Sequence, residues 1–211
     1  MSNILNEGEI MYSETLFHGS NRSRGETILQ KQQMFVTTGS KHWLGDGSYF
    51  FTEDLYSYKW IVDMFKKRHQ IELNYEVLYS HYIIVKTLIS IPKVRVFDLT
   101  KAEHKIMFDK VNKLMIDKKR VRESEYAEGV VLNYMFNELD FGRDYDLVKS
   151  IFIINKNRYT NVRSRIGYMP QEQICIKNLN VVDSISEYDF SEREKIFNVL
   201  LEDYYFEVNI S

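Results

Sequence analysis

The sequence predicts an α+β fold, a split and mostly antiparallel sheet with flanking helices. Segments rich in Val, Ile, Tyr and Phe cluster near the beginning and the end of the chain, whereas the middle carries apolar residues at helical spacing. Strands and helices do not alternate strictly, which argues against a doubly wound parallel sheet. The 211 residues contain no internal repeat, no low-complexity linker and no Pro/Gly-rich boundary, so 1–211 reads as one domain.

Taken in order, residues 15–18 read as a short strand ending in a histidine, and 21–33 as a polar helical segment carrying Ile28 and Leu29. Met34-Phe35-Val36-Thr37-Thr38 is β-branched and aromatic, a strand by composition. Its glycines mark 39–48 as a loop, and 49–52 is strand again. Thr52-Glu53-Asp54 opens a helix with a capping hydroxyl and acids in the first turn. To about Arg68 that helix keeps Leu55, Tyr58, Ile61, Val62 and Phe65 on one face. Residues 74–91 read as one long strand, or two with a bend, and 94–99 as another. Thr100-Lys101-Ala102-Glu103 fits a capping box, and the helix behind it carries Ile106, Val111, Leu114 and Met115. A second helical pattern covers 124–139, a turn 142–144 and a strand 147–154. Short strands at 171–176 and 180–184 flank a turn at Lys177-Asn178. Ser191-Glu192-Arg193-Glu194 is another capping box. It belongs to an amphipathic helix within about 187–206, whose Ile196, Val199 and Leu200 keep helical spacing for packing on the domain.

Apolar content of 44% and charged content of 27% suit a globular chain, and a net charge of −2 gives no global attraction to nucleic acid or membrane. Cys175, the single cysteine, excludes an internal disulfide and a multi-cysteine metal site. Between Ile174 and Ile176 it reads as a small buried hydrophobe. His18, His42, His69, His81 and His104 lack metal-ligand spacing, so no metal is expected. The acidic start lacks the charge and apolar core of an export signal, and no apolar run approaches ~18 residues. A cytoplasmic protein without membrane contact is the expectation. P-loop, dinucleotide, zinc-protease and hydrolase-elbow motifs are absent from the sequence.

Chemistry concentrates in two early runs. Leu16-Phe17-His18-Gly19-Ser20 delivers a histidine beside a small, flexible pair. Trp43-Leu44-Gly45-Asp46-Gly47-Ser48-Tyr49-Phe50-Phe51 is a glycine-punctuated turn that delivers a tyrosine into an apolar strand. A ring nitrogen next to open backbone, facing an aromatic plane, suits a flat heterocycle with ribose attached. The plain alternatives are a strand-end histidine bonding the next loop and a core aromatic. A third run, Pro170-Gln171-Glu172-Gln173-Ile174-Cys175-Ile176, puts Glu172 on one strand face with Ile174 and Ile176, and Gln173 on the other with Cys175. An inward carboxylate is costly to bury without partners; steadying a developing cation is one use for it, and exposure at the strand's start is the other reading. Lys118-Lys119-Arg120-Val121-Arg122, with Lys101, Lys105, Lys110 and Lys113, reads as a solvated face or a phosphate-contacting stripe, interrupted by Asp109 and Asp117.

Together the three runs resemble the ADP-ribosyltransferase superfamily, in its histidine–tyrosine–glutamate branch of diphtheria-like toxins and poly(ADP-ribose) polymerases. Phe17-His18-Gly19-Ser20 is similar to that family's opening strand, Tyr/Phe-His-Gly-Thr/Ser. Gly45-Asp46-Gly47-Ser48-Tyr49-Phe50 is similar to its Gly-x-Gly-x-Tyr-Phe. Ser57 and Trp60 fall where it carries a hydroxyl residue and an aromatic, eight and eleven positions after the tyrosine. Glu172-Gln173-Ile174 is similar to its late Glu-x-Ile/Val.

The resemblance implies NAD as co-substrate and a role for each residue. His18 would hold the 2′-hydroxyl of the adenosine ribose, and the Gly19 backbone, next to Ser20, would pair with the nicotinamide carboxamide. Tyr49 and Trp60 would bracket the nicotinamide ring, with Ser57 assisting. Glu172 would hold the nicotinamide-ribose hydroxyl and stabilise the oxocarbenium-like transition state. Gln173 fits a second pattern, a glutamine directly before the apolar strand, which would leave the site without a carboxylate; the resemblance favours Glu172. Pro170, two before Glu172, departs from the Glu-x-Glu of arginine-directed members. The implied function is ADP-ribose transfer to a macromolecular acceptor, protein or nucleic acid, by a bacterial toxin or phage-defence effector with an inhibitory antitoxin as partner. An NAD glycohydrolase and a catalytically silent NAD or ADP-ribose binder are the alternatives.

Overall fold

A computed structural model describes residues 10–39, 42–122, 127–152 and 170–206. The fold is α+β, a mixed, mostly antiparallel sheet flanked by helices. Strands β1 (Met11–Asn21), β2 (Ser48–Phe51), β3 (Tyr82–Pro92), β4 (Val96–Asp98), β5 (Leu147–Phe152), β6 (Gln171–Ile176) and β7 (Val182–Tyr188) line up as β4-β5-β6-β2-β1-β3-β7. Among the described residues only β4 and β5 run parallel. β1 and β3 are paired along their full length, from Met11 opposite Pro92 to Asn21 opposite Tyr82. β1 and β2, by contrast, meet at a single register, Phe17 opposite Phe51. The sheet is therefore continuous in strand order but nearly parted at that seam, where the expected split falls.

The helices are α1 (Arg22–Lys31), α2 (Asp54–Arg68), α3 (Tyr75–His81), α4 (Ala102–Asp117), α5 (Glu128–Glu138), α6 (Phe141–Asp144) and α7 (Glu194–Phe206). One apolar cluster joins Ile28 of α1 to Leu16, Phe50, Val85, Ile174 and Ile176 of the sheet. A second joins α2, α3 and α7 to β3 through Tyr58, Ile61, Phe65, Leu78, Ile84 and Phe197. A third joins α4 and α5 to β4, β5 and β6 through Phe97, Phe108, Leu132, Val148 and Cys175. Cys175 is fully buried, as a small hydrophobe should be.

Several local expectations are corrected. Residues 34–38 form no strand; Thr37 makes one isolated bridge to Gly47, just before β2. The first part of 74–91 is α3, which the Asn74 side chain caps by accepting from the Val77 N–H. Neither expected hydroxyl cap forms: α2 starts after Glu53 and α4 after Lys101, each without a side-chain cap. The Thr100 hydroxyl donates instead to Asp98. Residues 191–193 are a turn before α7, in which Arg193 binds the buried Asp54 at the start of α2. On α7 itself Phe197 and Leu201 pack inward, while Ile196, Val199 and Leu200 stay exposed. The 142–144 turn is part of the short α6. The expected helix start at Ser124 and strand end at Ile154 lie outside the described residues.

Candidate functional site

A pocket of about 380 Å³ is lined by His18, Gly19, Thr37, His42, Trp43, Tyr49, Phe50, Phe51, Trp60 and Gln173. It lies at the β1–β2 seam. Since side chains alternate along a strand, a parted seam lets the pocket draw on both sheet faces: His18 and Phe50 from one, Gly19, Tyr49, Phe51 and Gln173 from the other. Such a volume and aromatic lining suit a small organic ligand.

His18 is fixed by geometry. Its Nδ1 lies 2.7 Å from the Tyr49 carbonyl, which can only accept, so Nδ1 carries the proton and donates. Burial, and to a lesser degree the Arg24 charge, lower its pKa to about 4 against the Tyr49 hydrogen bond, which raises it. The ring is thus neutral at pH 7, and Nε2 is left as an acceptor for a ligand hydroxyl. The same shift couples to stability. Because the folded-state pKa lies below the unfolded value of ~6.5, the unfolded chain binds the extra proton between pH 6.5 and 4, and stability falls as pH drops through that window. His18 is expected to account for about 3 kcal/mol of that loss. Urea unfolding at pH 7 and pH 4 should show His18→Gln losing correspondingly less than wild type.

Gly19 carries the second fixed element. A Cβ there would come within 2.9 Å of both Trp60 and Ile61 and 3.0 Å of the Ser57 carbonyl, so the glycine lets α2 seat against β1 and brings Trp60 to the pocket wall. Ser57 stands behind this wall. It is fully buried and does not line the pocket, and its hydroxyl has no hydrogen-bond partner. Ser20 is buried in β1 opposite Ile83 and is also outside the lining.

Tyr49 presents its ring to the pocket while its hydroxyl serves the preceding turn. It donates to the Gly45 carbonyl at 2.6 Å and accepts from the Leu44 N–H at 2.9 Å. Burial pushes its pKa above the ordinary phenol value, so it stays protonated. The turn needs Gly45, whose φ of +74° is left-handed. It is held from two further directions. Asn133 of α5 accepts from the Asp46 N–H at 2.6 Å, and the Lys177 ammonium donates to the Leu44 and Asp46 carbonyls at 2.6 and 2.5 Å.

The third motif comes out on its other residue. Gln173 is buried and lines the pocket, opposite Phe51 of β2. Glu172 points to the other face of β6 and pairs with Lys149 of β5 at 2.9 Å. Of the two residues, Gln173 lines the pocket and Glu172, which the resemblance favoured, does not. The two-residue period holds, and on β6 it is the Cys175 side that reaches the pocket.

Thr37, His42, Trp43, Phe50 and Phe51 are lining residues that motif reading left unassigned. Trp43 is 45% exposed, with its ring 4.8 Å from that of Phe152, and His42 packs 5.5 Å from Tyr49. Their signal was adjacency, since both immediately precede the glycine turn. The basic stripe disperses. Along α4, Lys105, Lys110 and Lys113 are balanced by Glu103, Asp109 and Asp117, and Lys105 pairs with Asp109. Among the described residues no group of three or more His, Cys, Asp or Glu could hold a metal ion, and no helix is long and apolar enough to cross a membrane.

No protein-family model matches the chain, and no solved structure matches it either. The chain is 33% identical to "Uncharacterized protein MJ0359" of Methanocaldococcus jannaschii over 208 residues, covering 90% of this chain and 94% of that protein. At that identity and coverage, the chain belongs to the same family as the archaeal protein.

Proposed function

We propose that the pocket binds NAD by its nicotinamide end and that the protein transfers ADP-ribose from NAD to a macromolecular acceptor, releasing nicotinamide. The observation that carries this reading is the neutral His18, its Nδ1 proton committed to Tyr49 and its Nε2 free to accept from a ribose hydroxyl, beside Gly19 and between Tyr49 and Trp60. Ser57 supports the wall rather than the ligand: its backbone carbonyl lies behind Gly19, and its buried hydroxyl does not reach the pocket lining. In the reaction the bond between ribose C1′ and the nicotinamide nitrogen breaks, and nicotinamide leaves with the bonding pair. An acceptor nucleophile then attacks C1′ and gives up its proton.

Gln173 replaces Glu172 as the residue on the nicotinamide ribose. An amide can hold a ribose hydroxyl, but it steadies the oxocarbenium only through its dipole, and hydrogen bonds to a charged group are roughly twice as strong. The reading is therefore one of slow, single transfer rather than polymer growth. No carboxylate lines the pocket among the described residues, which favours a second reading, a catalytically silent NAD or ADP-ribose binder. Toxin or phage-defence use in the cytoplasm, under an inhibitory antitoxin, belongs to the first reading.

Incubation with NAD labelled in its adenylate half separates the possibilities. Nicotinamide release with label on a macromolecule is the expected result. Release with free ADP-ribose alone marks water as the acceptor and a glycohydrolase, and binding without release marks the silent module. A protein that neither binds NAD nor releases nicotinamide overturns the assignment of the pocket to NAD.

A further inference from the structure

We propose that Arg24 holds the diphosphate of the bound dinucleotide beside the pocket, where α1 meets Phe35. This rests on the NAD reading above. Arg24 lies in the first turn of α1, where the Asn21 side chain accepts from its backbone N–H at 2.9 Å and so fixes the turn. Its guanidinium stands over the Phe35 ring at 5.5 Å, and the Lys31 ammonium approaches the same ring at 6.0 Å. Phe35 does not line the pocket itself but adjoins residues at its edge. Its carbonyl accepts from the Ser48 hydroxyl at 2.7 Å, and two residues on, Thr37 bridges Gly47 and lines the pocket. Arg24 is also close enough to His18 for its charge to act on that ring.

The neighbouring arginine shows what a committed guanidinium looks like in this part of the fold. Arg22 donates to the Tyr79 and Tyr82 carbonyls, lies 4.0 Å over the Tyr79 ring and faces Glu187. Arg24 is partly buried and braced on an aromatic face, yet it makes no side-chain hydrogen bond or ion pair among the described residues. A planar fork with its donors open matches a phosphate bidentately. The protein's net charge of −2 supplies no attraction for an anionic diphosphate, so a local cation must. His18 and Arg24 sit on either side of the β1–α1 junction, one suited to a ribose hydroxyl and the other to the phosphates beside it.

The test is calorimetric titration of wild type and Arg24→Gln with NAD and with nicotinamide riboside, which has the same ribosyl end but no diphosphate. Arg24→Gln should weaken NAD binding about 10- to 100-fold, the range for a charge-assisted hydrogen bond. It should leave the riboside unchanged and flatten the salt dependence of NAD binding. Arg24→Lys, which keeps the charge but loses the fork, should fall between. Unchanged NAD affinity in Arg24→Gln, or equal loss for both ligands, overturns the assignment while leaving the NAD pocket standing. Wild type that binds neither ligand overturns both.

Discussion

Gly129→Ala is expected to destabilise the protein by about 3 kcal/mol, although glycine to alanine inside a helix ordinarily gains ~1 kcal/mol. Gly129 lies in the first turn of α5, and a Cβ there would fall 1.6 Å from the His42 carbonyl oxygen and 3.1 Å from the Gly45 nitrogen. Both are backbone atoms, so no rotamer change relieves the clash, and either α5 or the 42–47 turn must shift. One helical turn on, Asn133 holds the Asp46 N–H, so a shift would also disturb the turn that carries Tyr49 and Trp43. Urea unfolding gives the sign directly: a lower midpoint is expected, and a gain would show that α5 does not bear on this turn.

The second large effect separates two adjacent residues. Gln173→Ala should lower nicotinamide release about 100-fold, the scale for removing one preorganised group that stabilises a transition state. Glu172→Ala should stay within a few-fold of wild type, because that carboxylate is engaged with Lys149 on the far face of β6. A steady-state assay at saturating NAD decides between them. The reverse order, Glu172→Ala inactive and Gln173→Ala active, would restore the carboxylate assignment.

How far the sequence could be read depended on whether the deciding contact was local. His18-Gly19 and the Gly45–Tyr49 turn were legible because each is a short run whose residue types impose a conformation, and both reach the pocket. The strand at β6 was legible too, including which residues share a face, since a two-residue period is intrinsic to the chain. Which β6 residue reaches the pocket was not, because that is set by the register with Phe51 and Ser150 on neighbouring strands. The same reason misplaced 34–38: its β-branched composition was real, but it meets the sheet only at the Thr37–Gly47 bridge. Trp43 was legible only by its adjacency to the glycine turn, and Arg24 not at all. Their places come from Phe152, more than a hundred residues away, and from the approach of α1 to Phe35.

The chain has two tryptophans, and both Trp43 and Trp60 line the pocket. Intrinsic tryptophan fluorescence therefore reports on this site without a label. Titration with NAD should quench it saturably, and His18→Ala should raise the concentration needed at least tenfold by removing the ribose hydroxyl's acceptor. Emission that NAD leaves unchanged, with the protein folded, would contradict the assignment of this pocket to NAD.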